Sequence, residues 1–308
     1  MALLAASAGC FNQDDEVSRK YIRPVTKELT DLERLRMDAE KLGLAKQQDE
    51  LGTLYATGTG GVGQSDLDAI KWFKAAADQG LATAQYNLGL KYADARSVMQ
   101  SDVEAVKWFR MAASQDWKDA QYQLGLMTLT GRGTKEDFDE AIRWFRKAAE
   151  KGHVAAQAQL GNMAYTGQGS TQDYAEAFKW YSGAAAQGDL NAQRLLGHMH
   201  SKGQGITKNY TEAAKWYLLA AEQGDDQAQL ALGSLYTFGY GVRQDFVEGY
   251  KFYLLAATRE SGSSDVRRDA KKFATEVKAQ LTVGEVAEGQ RRAALFLPKK
   301  SEPMPPGK

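Results

Sequence analysis

Few residues of this chain could carry chemistry. The chain has three histidines, His153, His198 and His200, and one cysteine, Cys10, in 308 residues. His198 and His200 stand two apart, so on a helix they point to different faces and cannot share an ion as an i,i+4 pair would. A single cysteine excludes an intramolecular disulfide framework and a cysteine-based zinc site. Gly58-Thr59-Gly60-Gly61-Val62-Gly63 has the spacing of a dinucleotide loop. Such a loop follows a strand and opens a helix at its third glycine, whereas residues 51–55 read as helix. The acids Asp68, Glu104, Glu140, Glu176, Glu212 and Glu248 could supply paired carboxylates for proton transfer. Each, however, lies three residues after Ser65, Ser101, Asp137, Asp173, Asn209 or Asp245. Ser, Asp and Asn are preferred helix N-caps, and an acid three residues on completes a capping box. The spacing therefore predicts six helix starts, with each acid engaged in its own cap. Asn209-Tyr210-Thr211 fits a glycosylation sequon, but Asn209 is already accounted for as a cap. No catalytic residue, metal site or cofactor is expected.

The elements that would hold these residues repeat. Leu-Gly pairs begin at Leu51, Leu88, Leu124, Leu160, Leu196 and Leu232, and Trp72, Trp108, Trp144, Trp180, Trp216 and Phe252 fall 36 residues apart. A fixed period in this range is the mark of a solenoid of stacked helical units. Each cap is followed by a helix with alanines four and five after the large aromatic and, except for Gly249 in the sixth unit, an alanine three before it, which lets neighbouring helices approach closely. That helix stops at Gly80, Gly152, Gly188 or Gly224, with Asp116 in the glycine's place in one unit. A partner helix carries Ala-Gln and then Leu-Gly, and ends at a Gly-x-Gly turn. A mid-helix glycine costs about 1 kcal/mol relative to alanine, so its recurrence predicts a contact too tight for a Cβ. The segment DARSVMQ, residues 94–100, lacks the turn glycines and is expected to take a different backbone path.

The charge is balanced, with 39 acidic and 39 basic residues, so nothing global favours nucleic acid or anionic lipid. Four of the five prolines lie in the last eleven residues and Pro24 precedes the array, as an all-helical body requires. Residues 31–43 read as a capping helix opened by Thr30-Asp31-Leu32-Glu33, residues 44–260 as the array, residues 261–297 as two closing helices, and residues 298–308 as a disordered tail. At the other end, MALLAASAGC is a short apolar run of small residues before a cysteine, followed by a polar linker over residues 11–30. It resembles a bacterial lipoprotein signal, although no Lys or Arg precedes the run. The resemblance implies acylation of Cys10 and a place in the cell envelope, facing the periplasm. A cytoplasmic protein whose cysteine is incidental is the alternative.

The pattern Ala-Gln-x-x-Leu-Gly, Gly-x-Gly, an acidic cap, then Ala-x-x-Trp-x-x-x-Ala-Ala resembles the Sel1-like repeat, a relative of the tetratricopeptide repeat. The resemblance implies an all-α, right-handed superhelix of antiparallel helix pairs acting as a non-catalytic adaptor, here expected to be a monomer with a protein or peptide partner. An envelope enzyme acting on peptidoglycan or β-lactams is the alternative from another class, and no Ser/Lys, Cys/His or metal constellation supports it.

A solenoid offers its concave face to ligands. Counting each Leu-Gly leucine as zero, positions −5, −2, +2 and +5 share one helix face by their 3-4-3 spacing and vary between units. They give Tyr86 and Leu90; Tyr122, Leu126 and Leu129; Asn162 and Tyr165; Asn191, Arg194 and His198; and Ser234. The stripe runs from apolar and aromatic to polar. It suits a peptide with hydrophobic anchors at one end and an acidic or hydrogen-bonding portion near Arg194.

Overall fold

The structure is a computed structural model and describes residues 30–94, 100–259 and 262–298. Cys10, the segment expected to link it to the array, residues 95–99 of DARSVMQ and residues 299–308 lie outside the described residues. Among the described residues there are fifteen α-helices and no strand. The chain divides into two compact units, residues 1–72 and 73–308.

The first unit holds α1 (Asp31–Glu40), α2 (Ala45–Thr57) and the start of α3 (Asp66–Asp78), which runs through the division. Thr30 and Glu33 close a reciprocal capping box on α1. Ala39, Leu51 and Trp72 form the buried core, with Leu32, Leu35 and Tyr55 packed against them.

The second unit continues with α4 (Ala82–Ala93), α5 (Asp102–Ser114), α6 (Lys118–Thr130), α7 (Phe138–Glu150), α8 (Val154–Thr166), α9 (Tyr174–Ala186) and α10 (Leu190–Lys202). It ends with α11 (Tyr210–Glu222), α12 (Asp226–Phe238), α13 (Phe246–Thr258), α14 (Ser264–Lys278) and α15 (Val283–Ala294). Each Leu-Gly helix packs most extensively on the cap-and-tryptophan helix that follows it: α4 on α5, α6 on α7, α8 on α9, α10 on α11 and α12 on α13. Helices α14 and α15 both pack on α13.

The Leu-Gly glycine is explained by a second aromatic series, one residue after the tryptophans. A Cβ built on Gly89, Gly125, Gly161, Gly197 or Gly233 would lie 2.5–2.6 Å from the ring of Phe109, Phe145, Tyr181, Tyr217 or Tyr253 respectively. Carbon atoms attract best at about 3.5–4.0 Å, so only glycine lets the ring lie against the helix backbone. The same residue pair recurs at every interface of this kind in the second unit.

The cap residues stand directly before their helices, and their side chains accept from the N–H three residues on, as Asp137 does from Glu140 at 2.8 Å. The capping boxes expected in the array do not form. In all six the cap residue's own N–H already donates to the preceding helix, at Tyr55, Tyr92, Thr128, Ala164, His200 and Tyr236, over 2.9–3.1 Å. With that donor used, the acids turn elsewhere. Glu140 and Glu176 accept from the indoles of Trp144 and Trp180 at 3.1 and 3.2 Å, and reach Arg110 and Arg146 of the preceding repeat. Glu248 holds Arg292 of α15 at 3.0 Å. These carboxylates are structural, though through indole and guanidinium partners rather than backbone boxes.

The glutamine of Ala-Gln also has a fixed task. Gln85, Gln121, Gln157, Gln193 and Gln229 each donate Nε2 to the carbonyl of Ala77, Ala113, Ala149, Ala185 or Ala221, over 3.1–3.2 Å. These last-turn carbonyls also accept from the turn N–H of Gly80, Asp116, Gly152, Gly188 or Gly224, so the glutamine amide fills their second acceptor position. Three of the glutamines accept in turn from the residue 30 positions on: Gln115 to Gln85, Gln187 to Gln157 and Gln223 to Gln193, each at 2.8 Å. At the other two corresponding positions stand Lys151 and Arg259, and the buried Gln121 Oε1 and Gln229 Oε1 have no hydrogen-bond partner among the described residues.

The turns follow the glycines. The helix-ending Gly131, Gly167, Gly203 and Gly239 have φ of 68–74°, and Asp116 takes the left-handed conformation at φ 65° where other units have glycine. The Gly58 loop is one of these turns, following α2 rather than a strand.

Candidate functional site

The face of the Leu-Gly helices carries an open cleft of about 370 Å³ where α10, α12 and α14 meet beside Tyr217 of α11. Arg194, His198 and Ser234 from the variable stripe lie on its wall. Leu230, Ala231, Val266 and Phe273 supply its apolar surface, and Gln227 stands at its edge with Arg194.

Arg194 is not a free cation. Its Nε lies 3.3 Å from the buried carboxylate of Asp225, Nη1 donates to Gln227 Oε1 at 2.9 Å, and Nη2 to Asn191 Oδ1 at 3.4 Å. Asp225 is the N-cap of α12 and accepts from the Ala228 N–H at 2.7 Å. Burial pushes its carboxyl above the ordinary carboxylate value, opposed by the Ala228 N–H and then by Arg194. The guanidinium thus partners a charge within its own wall, so an acidic ligand at Arg194 would have to share it with Asp225. Burial holds His198 below the ordinary histidine value, and Lys202 and Arg194 lower it further.

The rest of the stripe is not brought into this cleft. Tyr86 packs on Phe109 and Trp117, with ring centroids 5.9 and 6.5 Å apart. Tyr122 stacks on His153 at 4.5 Å and meets Phe145 at 5.8 Å. Leu126 and Leu129 are half-buried against the cluster of Phe145, Leu160, Met163 and Trp180. Leu90 is exposed. Tyr165 packs edge-on to Tyr174 and donates to Gln204 at 3.1 Å.

The change from apolar to polar along the +2 positions follows the ring that meets the Leu-Gly glycine. Where that ring is Phe109 or Phe145, the residue is Leu90 or Leu126; where it is Tyr181, Tyr217 or Tyr253, it is Asn162, His198 or Ser234. Asn162 Oδ1 accepts from the Tyr181 hydroxyl at 2.8 Å, and Ser234 Oγ from the Tyr253 hydroxyl at 3.2 Å. A buried hydroxyl without a partner costs about 1–3 kcal/mol, so these two polar residues satisfy the fold. For Tyr217 no corresponding bond to His198 is present among the described residues; the Ser201 hydroxyl, which donates to the His198 carbonyl at 2.8 Å, is the polar group that most favours ionisation of this phenol. That leaves His198 as the polar +2 residue with no phenol to serve, and it faces the cleft.

The histidines are separated. His153 caps α8, with Nδ1 accepting from the Ala156 N–H at 3.1 Å. His200 lies edge-on to Phe178 at 5.5 Å, away from the cleft that His198 lines. Among the described residues no three His, Cys, Asp or Glu side chains gather as metal ligands, and no helix is long and apolar enough to cross a membrane.

Sequence reading found Arg194, His198 and Ser234 but missed the rest of the wall. Gln227 and Leu230 are the −5 and −2 positions of the last Leu-Gly helix, so the stripe rule extends to them. Tyr217 belongs to the second aromatic series. Val266 and Phe273 come from the closing helix α14, whose docking no repeat pattern encodes.

The sequence pattern described as "Sel1 repeat" matches six consecutive segments, residues 48–81, 82–117, 118–153, 154–189, 190–225 and 226–261. Comparison with curated proteins found no match. Among solved structures, the chain is similar to a protective antigen present in uropathogenic Escherichia coli strains and displaying an SLR fold. The identity is 36%, covering 86% of this chain and 56% of that one, with a TM-score of 0.75. It is also similar to a Sel1 repeat protein from Oxalobacter formigenes, at 37% identity over 72% of this chain and 91% of that one, with a TM-score of 0.62. With six family repeats in register and helix pairs packed in sequence, the chain is an all-α solenoid and belongs to the Sel1-repeat family.

Proposed function

We propose that this solenoid is a non-catalytic scaffold of the bacterial cell envelope. It holds a protein partner on the face of its Leu-Gly helices, with the α10–α12–α14 cleft as the principal contact. Sel1-repeat solenoids are in general protein-interaction scaffolds, and that supports the class of function. The observation that carries the site is the convergence of Arg194, His198, Gln227 and Phe273 on one open cleft, with His198 the polar stripe residue that serves no structural partner. The envelope setting rests on the small-residue run before Cys10, read as a lipid attachment site; the membrane is then reached through that anchor alone.

Two measurements test the reading. A photoreactive amino acid placed at Gln227 should capture a discrete partner in cells, and the same group at Leu218, an exposed residue of α11, should not; equal capture at both refutes the cleft as the contact. Metabolic labelling with a radioactive fatty acid should mark the wild type and not Cys10→Ser. Absence of label in the wild type removes the lipid anchor and leaves the cytoplasmic alternative.

A further inference from the structure

The walls of the α10–α12–α14 cleft carry a preference for an uncharged group, in place of the acidic one the variable stripe suggests. Of its wall residues only Arg194, His198 and Tyr217 are ionisable. The Arg194 charge is compensated by Asp225 at 3.3 Å, whose side chain is only 9% exposed. Screening inside such a site is weak, so a second carboxylate entering the cleft would meet the Asp225 charge as well as the guanidinium. An ammonium would likewise meet the Arg194 charge as well as the Asp225 carboxylate. A charged ligand group would also lose its hydration against Leu230, Ala231, Val266 and Phe273. An uncharged apolar group has neither cost and covers those four side chains.

The volume and the edge narrow the occupant further. About 370 Å³ is near the low end of ligand pockets, which span roughly 300–1,000 Å³. That suits one large side chain rather than a whole folded element. At the edge, Gln227 gives its Oε1 to Arg194, which orients the amide and leaves its Nε2 as a donor. A donor fixed beside an apolar hole is the arrangement that receives a backbone carbonyl next to a buried side chain.

We propose that this cleft binds one uncharged apolar side chain, of the size of leucine, methionine or phenylalanine, from an extended segment of a partner protein. The adjoining backbone carbonyl accepts from the Gln227 amide. The Arg194–Asp225 pair acts as a neutral wall that rejects acidic and basic side chains alike. This deepens the scaffold reading by stating the chemistry of its principal contact.

The test is methyl NMR on the full chain, with the Leu230 and Val266 methyls as reporters in the cleft and those of Leu88 and Leu124 as distant controls. N-acetyl-phenylalaninamide and N-acetyl-leucinamide should shift Leu230 and Val266 saturably, with Kd in the millimolar range that such small ligands reach, and leave Leu88 and Leu124 unmoved. N-acetyl-glutamic acid amide and N-acetyl-lysinamide should bind at least about fivefold more weakly, a difference of about 1 kcal/mol. Ala231→Leu, which fills the hole, should abolish the shifts while preserving the control methyls. Gln227→Leu should weaken the apolar amides severalfold without removing them. Glutamate or lysine amides that bind as well as the apolar ones overturn the proposal, as does the absence of any shift with the apolar amides. Those outcomes remain distinct from failure of the scaffold reading, which is the absence of a captured partner in cells.

Discussion

Gly125→Ala is the sharpest test of how these repeats pack. Gly125 sits mid-helix in α6, where alanine would be favoured by about 1 kcal/mol on intrinsic propensity. The new methyl would stand 2.6 Å from Cε1 and 2.7 Å from Cδ1 of Phe145, a ring that is fully buried and flanked by Tyr122. Reaching ordinary contact near 3.5 Å requires α6 and the ring to separate by close to an ångström. Overpacking of this kind costs about 1–3 kcal/mol, so the net change is a destabilisation of up to about 2 kcal/mol. The decisive arm is the double variant. In a Phe145→Leu background the ring edge is gone, and Gly125→Ala should become neutral or stabilising, giving a coupling within the roughly 0.5–3 kcal/mol seen for residues in contact. Gly284→Ala is the control, because nothing lies within 4 Å of its added Cβ; it should stabilise by about 0.4–1 kcal/mol. Urea unfolding followed by far-ultraviolet circular dichroism gives the global values. Hydrogen exchange of the α6 and α7 amides localises the effect, since repeat arrays respond through nearest neighbours. A stabilising Gly125→Ala in the wild-type background, or an effect unchanged by Phe145→Leu, would refute the ring contact as the reason for the glycine.

Three further outcomes follow from the same interfaces. Lys151→Gln places a donor where Gln115, Gln187 and Gln223 stand in other repeats and should satisfy the buried Gln121 Oε1. A gain of about 1 kcal/mol is expected from that hydrogen bond, read as a higher urea midpoint; an unchanged or lower midpoint counts against the ladder. Asp116→Gly relieves a left-handed residue at φ 65° and should raise the midpoint, whereas its fall would show that the carboxylate's bonds to Lys151 and Gln121 matter more than the backbone. His153, His198 and His200 are all held below the ordinary histidine value, chiefly by burial. The folded chain therefore prefers them neutral, the unfolded chain takes up more protons, and stability should fall as pH drops through about 6.5 and level off below the folded-state values. Asn is a strong N-cap, so His153→Asn keeps an acceptor for the Ala156 N–H and should make that fall shallower between pH 7.5 and 5.5; an identical slope would clear His153 of a part in it.

Most of the helix architecture was legible because each rule acts within one repeat. Six cap residues in register fix six helix starts, and Gly131 and its counterparts fix the ends through a backbone conformation that disfavours a Cβ. The capping boxes were misread for a reason no single helix contains. Whether the Asp137 N–H is free for Glu140 depends on Thr128, in the preceding helix, coming within 3.1 Å of it. The glutamine ladder was hidden in the same way, since the partners of Gln85 lie eight residues back, at Ala77, and 30 residues on, at Gln115.

The candidate site shows why variation between repeats cannot be equated with ligand contact. Asn162 and Ser234 vary, and both answer to a tyrosine that replaces a phenylalanine in the next helix. A pair that changes together across an interface keeps the interface satisfied and frees nothing for a partner. Arg194 varies too, but Asp225 has entered the chain 31 residues later, where the corresponding positions are Trp117, His153 and Asp189. Two of those, His153 and Asp189, cap their helices without an arginine. The ion pair is therefore not required for capping, and its burial beside an apolar hole costs desolvation that a neutral pair of residues would avoid. A costly pair retained where capping does not need it sets the charge character of the cleft. His198 stands beside it without a side-chain hydrogen-bond partner among the described residues, and only the folded chain shows that Tyr217, unlike Tyr181 and Tyr253, does not bond the +2 residue and leaves that imidazole to face whatever enters.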